Sequence, residues 1–133
     1  MDFKKLIFHH IGISVDKSML TEKATYSSLF KMYTETQKNT LGIKIQHHAF
    51  DEGSTLHEYI RNMPHVAFKV ENIEKVIQGE TIIMPLYEPF KGYKCAMILL
   101  NGMPIEIIET SLPEEKIWND PDTLKNGILY GND

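Results

Sequence analysis

Four side chains able to hold a divalent cation occur in this sequence as two matched pairs. His10 opens His10-Ile11-Gly12-Ile13-Ser14-Val15, and His65 opens His65-Val66-Ala67-Phe68-Lys69-Val70. Gln46 lies within Gly42-Ile43-Lys44-Ile45-Gln46-His47-His48, and Glu106 within Gly102-Met103-Pro104-Ile105-Glu106-Ile107-Ile108. The histidines are offset by 55 positions (65 − 10) and the oxygen donors by 60 (106 − 46). Two imidazoles, one carboxylate and one amide oxygen form a mixed nitrogen and oxygen shell. Such a shell suits one divalent ion of the Zn, Ni, Co, Mn or Fe(II) kind and excludes soft thiolate chemistry. Four protein donors on an octahedral ion leave two positions, which two adjacent substrate oxygens can fill. A chelated substrate would then have a neighbouring C–H acidified by the ion acting as a Lewis acid.

The donors need strands that aim them at one point. Leu6 to Val15 is rich in Ile, Val and Phe and reads as a strand. Side chains alternate across a strand, so Ile11, Ile13 and Val15 share one face and His10, Gly12 and Ser14 the other. In the second copy Val66, Phe68 and Val70 oppose His65, Ala67 and Lys69. Further strands are expected over 31–37, 41–50, 81–86, 93–100 and 103–110. Gln46 and Glu106 alternate with isoleucines and face as the histidines do, whereas Glu109 faces oppositely. A helix is expected after each first strand. The first would be capped by Asp16 or Ser18 and run through Met19, Leu20, Tyr26, Leu29 and Phe30. The second is shorter: capped by Asn72, carrying Ile73, Val76 and Ile77, and ended by Gly79. Thr55-Leu56-His57-Glu58 fits a capping box and predicts a short helix between the halves. The tail after Ser111 has Ile117, Trp118, Leu124, Ile128, Leu129 and Tyr130 to bury, on the domain or on a second subunit.

Composition sets the outer bounds. With 133 residues, 42% apolar and 24% charged, the chain is an ordinary single globular domain with a sizeable core. The expected division is module 1 over about 6–50, a linker over 51–63, module 2 over about 64–110 and a tail over 111–133. A net charge of −4 and a single arginine, Arg61, argue against a nucleic-acid partner and against phosphate clusters. The one cysteine, Cys95, sits in an apolar run and reads as inert core in a reducing compartment. With no apolar leader and no membrane-length apolar stretch, a cytoplasmic location without membrane contact is expected.

These segments carry a family resemblance. His10-Ile11-Gly12-Ile13, Pro64-His65-Val66-Ala67-Phe68-Lys69-Val70 and Gly102-Met103-Pro104-Ile105-Glu106-Ile107-Ile108-Glu109 resemble the vicinal oxygen chelate superfamily, the glyoxalase/bleomycin-resistance/dioxygenase group. The likeness spans about residues 6–110. It is nearest to members of the glyoxalase I and methylmalonyl-CoA epimerase kind. It implies an α+β fold in which two βαβββ modules form an open, cup-shaped mixed sheet around a metal. It also implies that His10 rather than His9 is the first ligand, and that His65 and Glu106 are two more. The fourth is Gln46, with His48, two residues on and facing the same way, as the alternative.

The resemblance implies a metal-dependent lyase or isomerase acting by proton transfer on a small substrate chelated through two oxygens. Glu106 could detach from the ion and shuttle the proton. Glu35, the one carboxylate in the matching first-module strand, is the candidate for a separate base. A homodimer is the expected assembly. The alternative function on the same fold is a non-catalytic, drug-sequestering binding protein.

Overall fold

The computed structural model describes residues 5–130. Among the described residues, eight strands form a single sheet curled into an open half-barrel, with short helices packed against its two faces. The strands are β1 (Ile7–Ser14), β2 (Thr25–Ser27), β3 (Met32–Thr36), β4 (Ile45–Phe50), β5 (His65–Lys69), β6 (Thr81–Phe90), β7 (Tyr93–Leu100) and β8 (Met103–Thr110). Helices α1 (Glu58–Asn62), α2 (Ile73–Ile77), α3 (Glu114–Asn119) and α4 (Pro121–Lys125) complete the chain. Among the described residues no helix is long and apolar enough to cross a membrane.

The strand order is β2-β3-β4-β1-β5-β8-β7-β6. Read outward from the centre, each half contributes its strands in the same sequence: first, fourth, third, second. β1 runs parallel to β4 as β5 does to β8, and β1 and β5 meet antiparallel at the centre. The repeat seen in the sequence is therefore a repeat in space. The α+β class and the cup-shaped mixed sheet are as expected.

Local chemistry explains the second half well. Asn72 caps α2 by accepting from the Lys75 N–H, and Gly79, at φ 82°, releases the chain into β6. Asn101-Gly102 joins β7 to β8 with φ of 50° and 81°, the two positive angles that a tight hairpin of matching twist requires. The apolar stripe of α2 (Ile73, Val76, Ile77) packs on the convex face against Val70, Ala96, Ile98 and Ile107. The concave face holds a second cluster, built on Ala67, Met84, Cys95, Met97 and Ile108 and covered by Ile60 and Ile117.

The first half departs from expectation. No helix runs from Met19 to Phe30: a single 3₁₀ turn, Lys17–Met19, capped by Asp16, is followed by β2. Tyr26 pairs with Tyr33 across β2 and β3. Apolar residues at helical intervals here serve a β-hairpin, because tertiary pairing overrides a short and poorly periodic pattern. The loop that stands where the helix was expected is anchored instead by Glu35, whose carboxylate accepts from the Thr21 N–H at 2.7 Å and the Thr21 hydroxyl at 2.5 Å. The linker helix α1 forms, but its cap is His57, whose ring accepts from the Tyr59 N–H, rather than Thr55. The tail folds back on its own domain. Ile117, Trp118 and Leu124 join the concave cluster, and the Leu129 N–H donates to the Pro89 carbonyl.

Candidate metal centre

Strand register brings His10, His65 and Glu106 together at the centre of the concave face. His10 pairs with Ala67, and Ala67 pairs in turn with Glu106, so His10 and Glu106 stand on either side of a residue whose side chain is one methyl. Gly12 pairs with His65 on one side and with Gln46 on the other. Small residues at these crossings let large rings lie over neighbouring strands. At Gly12 this is compulsory: a Cβ there would come within 2.2 Å of His65 Cε1 and 2.4 Å of His65 Nε2. The glycine of His10-Ile11-Gly12 is thus a requirement of close approach rather than of backbone angle.

The donor atoms converge. Glu106 Oε1 lies 3.2 Å from His10 Nε2 and 3.2 Å from His65 Nε2. The three donor atoms lie within 4.8 Å of one another, and all three residues are buried against solvent or nearly so. His10 Nε2 is shielded from solvent and has no hydrogen-bond partner among the described residues, although Glu106 Oε1 lies 3.2 Å away. An orphaned imidazole nitrogen aimed at a buried carboxylate is costly unless a cation shares the space. Neighbouring ligands around an ion bound at about 2.0–2.2 Å stand roughly 3 Å apart, which matches the observed edges. The group can therefore hold a metal ion.

Electrostatics point the same way. Burial alone would raise the Glu106 carboxyl, but the close contacts and charges of His10 and His65 outweigh it and hold the group well below the usual carboxylate range. Glu106 stays an anion. Burial, reinforced by the Glu106 charge, pushes the Cys95 thiol up, so the one cysteine remains a protonated core residue as expected.

The remaining predicted residues occupy distinct places. Gln46 lines the same cavity and faces His65 across the bare backbone of Gly12. His48 is buried beside the cluster, its ring stacked on His65 at 5.8 Å and its Nδ1 engaged with the Thr34 hydroxyl at 2.9 Å. Burial first, then the neighbouring His65, drop its pKa to about 3, so it is a neutral ring. Glu35 also lines this cavity; it pairs with His47 beside the Thr34–His48 pair, and its carboxylate is occupied by Thr21. Those hydrogen bonds from Thr21 hold it below the usual range.

Strand parity alone misses one group of contacts. A bulge between Phe8 and His10 inserts His9 as an extra residue, and both histidines then turn to the concave side. His9 Nδ1 meets His10 Nδ1 at 2.8 Å, and its Nε2 reaches the Glu114 carboxylate at 3.0 Å. Trp118 stacks on His9 at 5.4 Å and stands edge-on to His10 at 5.6 Å. The doubled histidine was the only sequence signal for this arrangement.

Above the cluster opens a cavity of about 290 Å³. Its walls are largely aromatic and apolar, among them Phe30, Met84, Tyr87, Phe90, Tyr93 and Trp118, and among the described residues Lys23 is its one lysine or arginine. Burial pushes the Tyr87 and Tyr93 hydroxyls up, so both are neutral hydrogen-bonding groups.

No protein-family model matches this chain. A search of curated proteins gives no significant match. Solved structures do match. One is the crystal structure of hypothetical protein BH1468 from Bacillus halodurans C-125, with a TM-score of 0.61 and 20% identity over 83% of this chain and 98% of that one. At that identity the likeness concerns the fold.

Proposed function

We propose that this protein is a divalent-metal-dependent lyase or isomerase of the vicinal oxygen chelate kind, moving a proton next to a carbonyl. The observation that carries the reading is the orphaned His10 Nε2, set with His65 Nε2 around Glu106 Oε1 at 3.2 Å beneath a sizeable cavity. His10, His65 and Glu106 would hold the ion, with Gln46 as the fourth donor from across Gly12. Bound there, a divalent ion supplies Lewis-acid activation to a substrate that presents two adjacent oxygens.

The chain's own residues do the rest. Glu106 is anionic and is the carboxylate nearest both histidines, so we give it the proton-transfer role. Glu35 is tied to Thr21 and serves the loop. The apolar and aromatic walls exclude water, which strengthens the charge interactions of Glu106. They also select a substrate with an apolar or aromatic body rather than a phosphorylated one, because Lys23 alone would meet a phosphate. The test is hydrogen exchange followed by NMR. The zinc- or cobalt-loaded protein should catalyse deuterium uptake from D₂O at the C–H of an aryl-substituted α-hydroxy carbonyl compound, and the Glu106→Ala protein should not. Equal exchange by both proteins would refute the assignment.

The same apolar cavity favours one second reading, a binding protein that sequesters an aromatic compound without turning it over. Metal-independent binding of such a compound, unchanged in Glu106→Ala, would select that reading.

A further inference from the structure

Two imidazole nitrogens face one another at 2.8 Å, His9 Nδ1 and His10 Nδ1. One of them must donate a hydrogen and the other accept it. The far side of His9 decides which. Its Nε2 lies 3.0 Å from one oxygen of Glu114 and 3.1 Å from the other, and a carboxylate only accepts. His9 Nε2 therefore carries the hydrogen, and a neutral ring has none left for Nδ1. His10 must then be protonated on Nδ1, which leaves its Nε2 bare beside Glu106.

We propose that Glu114 and His9 are positioning residues of the metal centre, fixing the His10 tautomer through a hydrogen-bonded chain that starts in helix α3. The chain is Glu114 carboxylate, His9 Nε2–H, His9 Nδ1, His10 Nδ1–H and finally the bare His10 Nε2. Trp118, one turn after Glu114, locks it twice: its Nε1 donates to Glu114 Oε1 at 3.0 Å and its ring stacks on His9. The His9 side chain is only 4% exposed, so water does not compete for it, whereas Glu114 is 52% exposed and reaches the surface. Carboxylate support for a ligating histidine commonly acts directly; here an intervening histidine, supplied by the bulge in β1, carries it. Docking of the tail thereby becomes part of building the site. This rests on the metal reading given above.

The experiment uses the full chain. Zinc is titrated against a chromophoric chelator for the wild type, Glu114→Ala, Glu114→Gln and His9→Phe. Long-range ¹H–¹⁵N spectra of the histidine-labelled, zinc-loaded wild type then give each ring's tautomer. The expected spectra show the proton on Nε2 of His9 and on Nδ1 of His10. Losing such outer support costs roughly 10–100-fold in metal affinity, so Glu114→Ala and His9→Phe should weaken zinc by that factor. Glu114→Gln keeps an accepting oxygen and should recover part of the loss. Lys116→Ala, which removes an ion pair with Asp120 inside the same tail, should leave affinity unchanged and so controls for α3 stability. Wild-type affinity in both Glu114→Ala and His9→Phe, or a proton on Nδ1 of His9, overturns the proposal while leaving the metal centre standing. A wild type that takes up no zinc overturns the metal centre, and the proposal with it.

Discussion

Gly12 sets the tightest steric condition in the site, and replacing it by alanine should damage metal binding as well as folding. The added Cβ would sit 2.2 Å from His65 Cε1 and 2.4 Å from Nε2. Carbon atoms in comfortable contact are about 3.5 Å apart, so the ring must retreat by more than 1 Å. His65 Nε2 now stands 3.2 Å from Glu106 Oε1, and a zinc–nitrogen bond tolerates only about 0.2 Å around 2.0–2.1 Å. A retreat of that size removes His65 as a ligand. We expect zinc affinity to fall at least tenfold to a hundredfold, or about 1.4–2.7 kcal/mol. Overpacking should cost folding roughly 1–3 kcal/mol as well. Gly102→Ala provides the contrast. A Cβ there meets nothing within 4 Å, but φ is 81°, so the variant should lose about 1 kcal/mol of stability through the backbone and keep full zinc affinity. Urea unfolding of the metal-free proteins and zinc titration of the folded ones separate the two effects. Wild-type zinc affinity in Gly12→Ala would refute the packing argument.

Three other outcomes follow from the same geometry. His48 titrates near 6.5 in the unfolded chain and at about 3 in the fold, so between those values the unfolded state holds the extra proton. Stability of the metal-free protein is therefore complete above about pH 6.5 and declines as pH falls toward 3; His48→Gln should flatten that slope in urea unfolding series. Glu35→Gln weakens two charge-assisted hydrogen bonds from Thr21 and should cost roughly 1–3 kcal/mol while leaving metal affinity intact, measured by the same unfolding and titration pair. Ile73→Ala empties a fully buried position beneath α2 and should cost about 2–5 kcal/mol in denaturant unfolding, with no effect on the metal centre on the opposite face.

Much of the site was legible because strand parity is a rigid rule. Glu106 separates from Glu109 by facing alone, and Glu109 indeed turns to the other side, accepting from the Ile73 N–H. The Asn72 cap and the Gly79 ending of α2 were legible because those signals act locally. Parity failed at the bulge, where an inserted residue reverses facing and brings His9 to the cup. No local pattern announces such an insertion; it is fixed by pairing with β5, a partner more than 50 residues away. The missing first helix has a related cause. Leu20, Tyr26, Leu29 and Phe30 fit a helical face loosely, but Tyr26 finds a cross-strand partner in Tyr33, and Leu29 stays 44% exposed. The part played by Glu114 and Trp118 needed the tail to be folded before it could be seen, since nothing in their spacing refers to residue 9.

Metal uptake by chelator-stripped protein tests the central claim most directly. Isothermal titration with zinc or cobalt should give one ion per chain for the wild type and none for His65→Ala or Glu106→Ala, with each variant shown to be folded by circular dichroism. Failure of the wild type to bind, or undiminished binding by folded Glu106→Ala, would contradict a metal centre built on His10, His65 and Glu106.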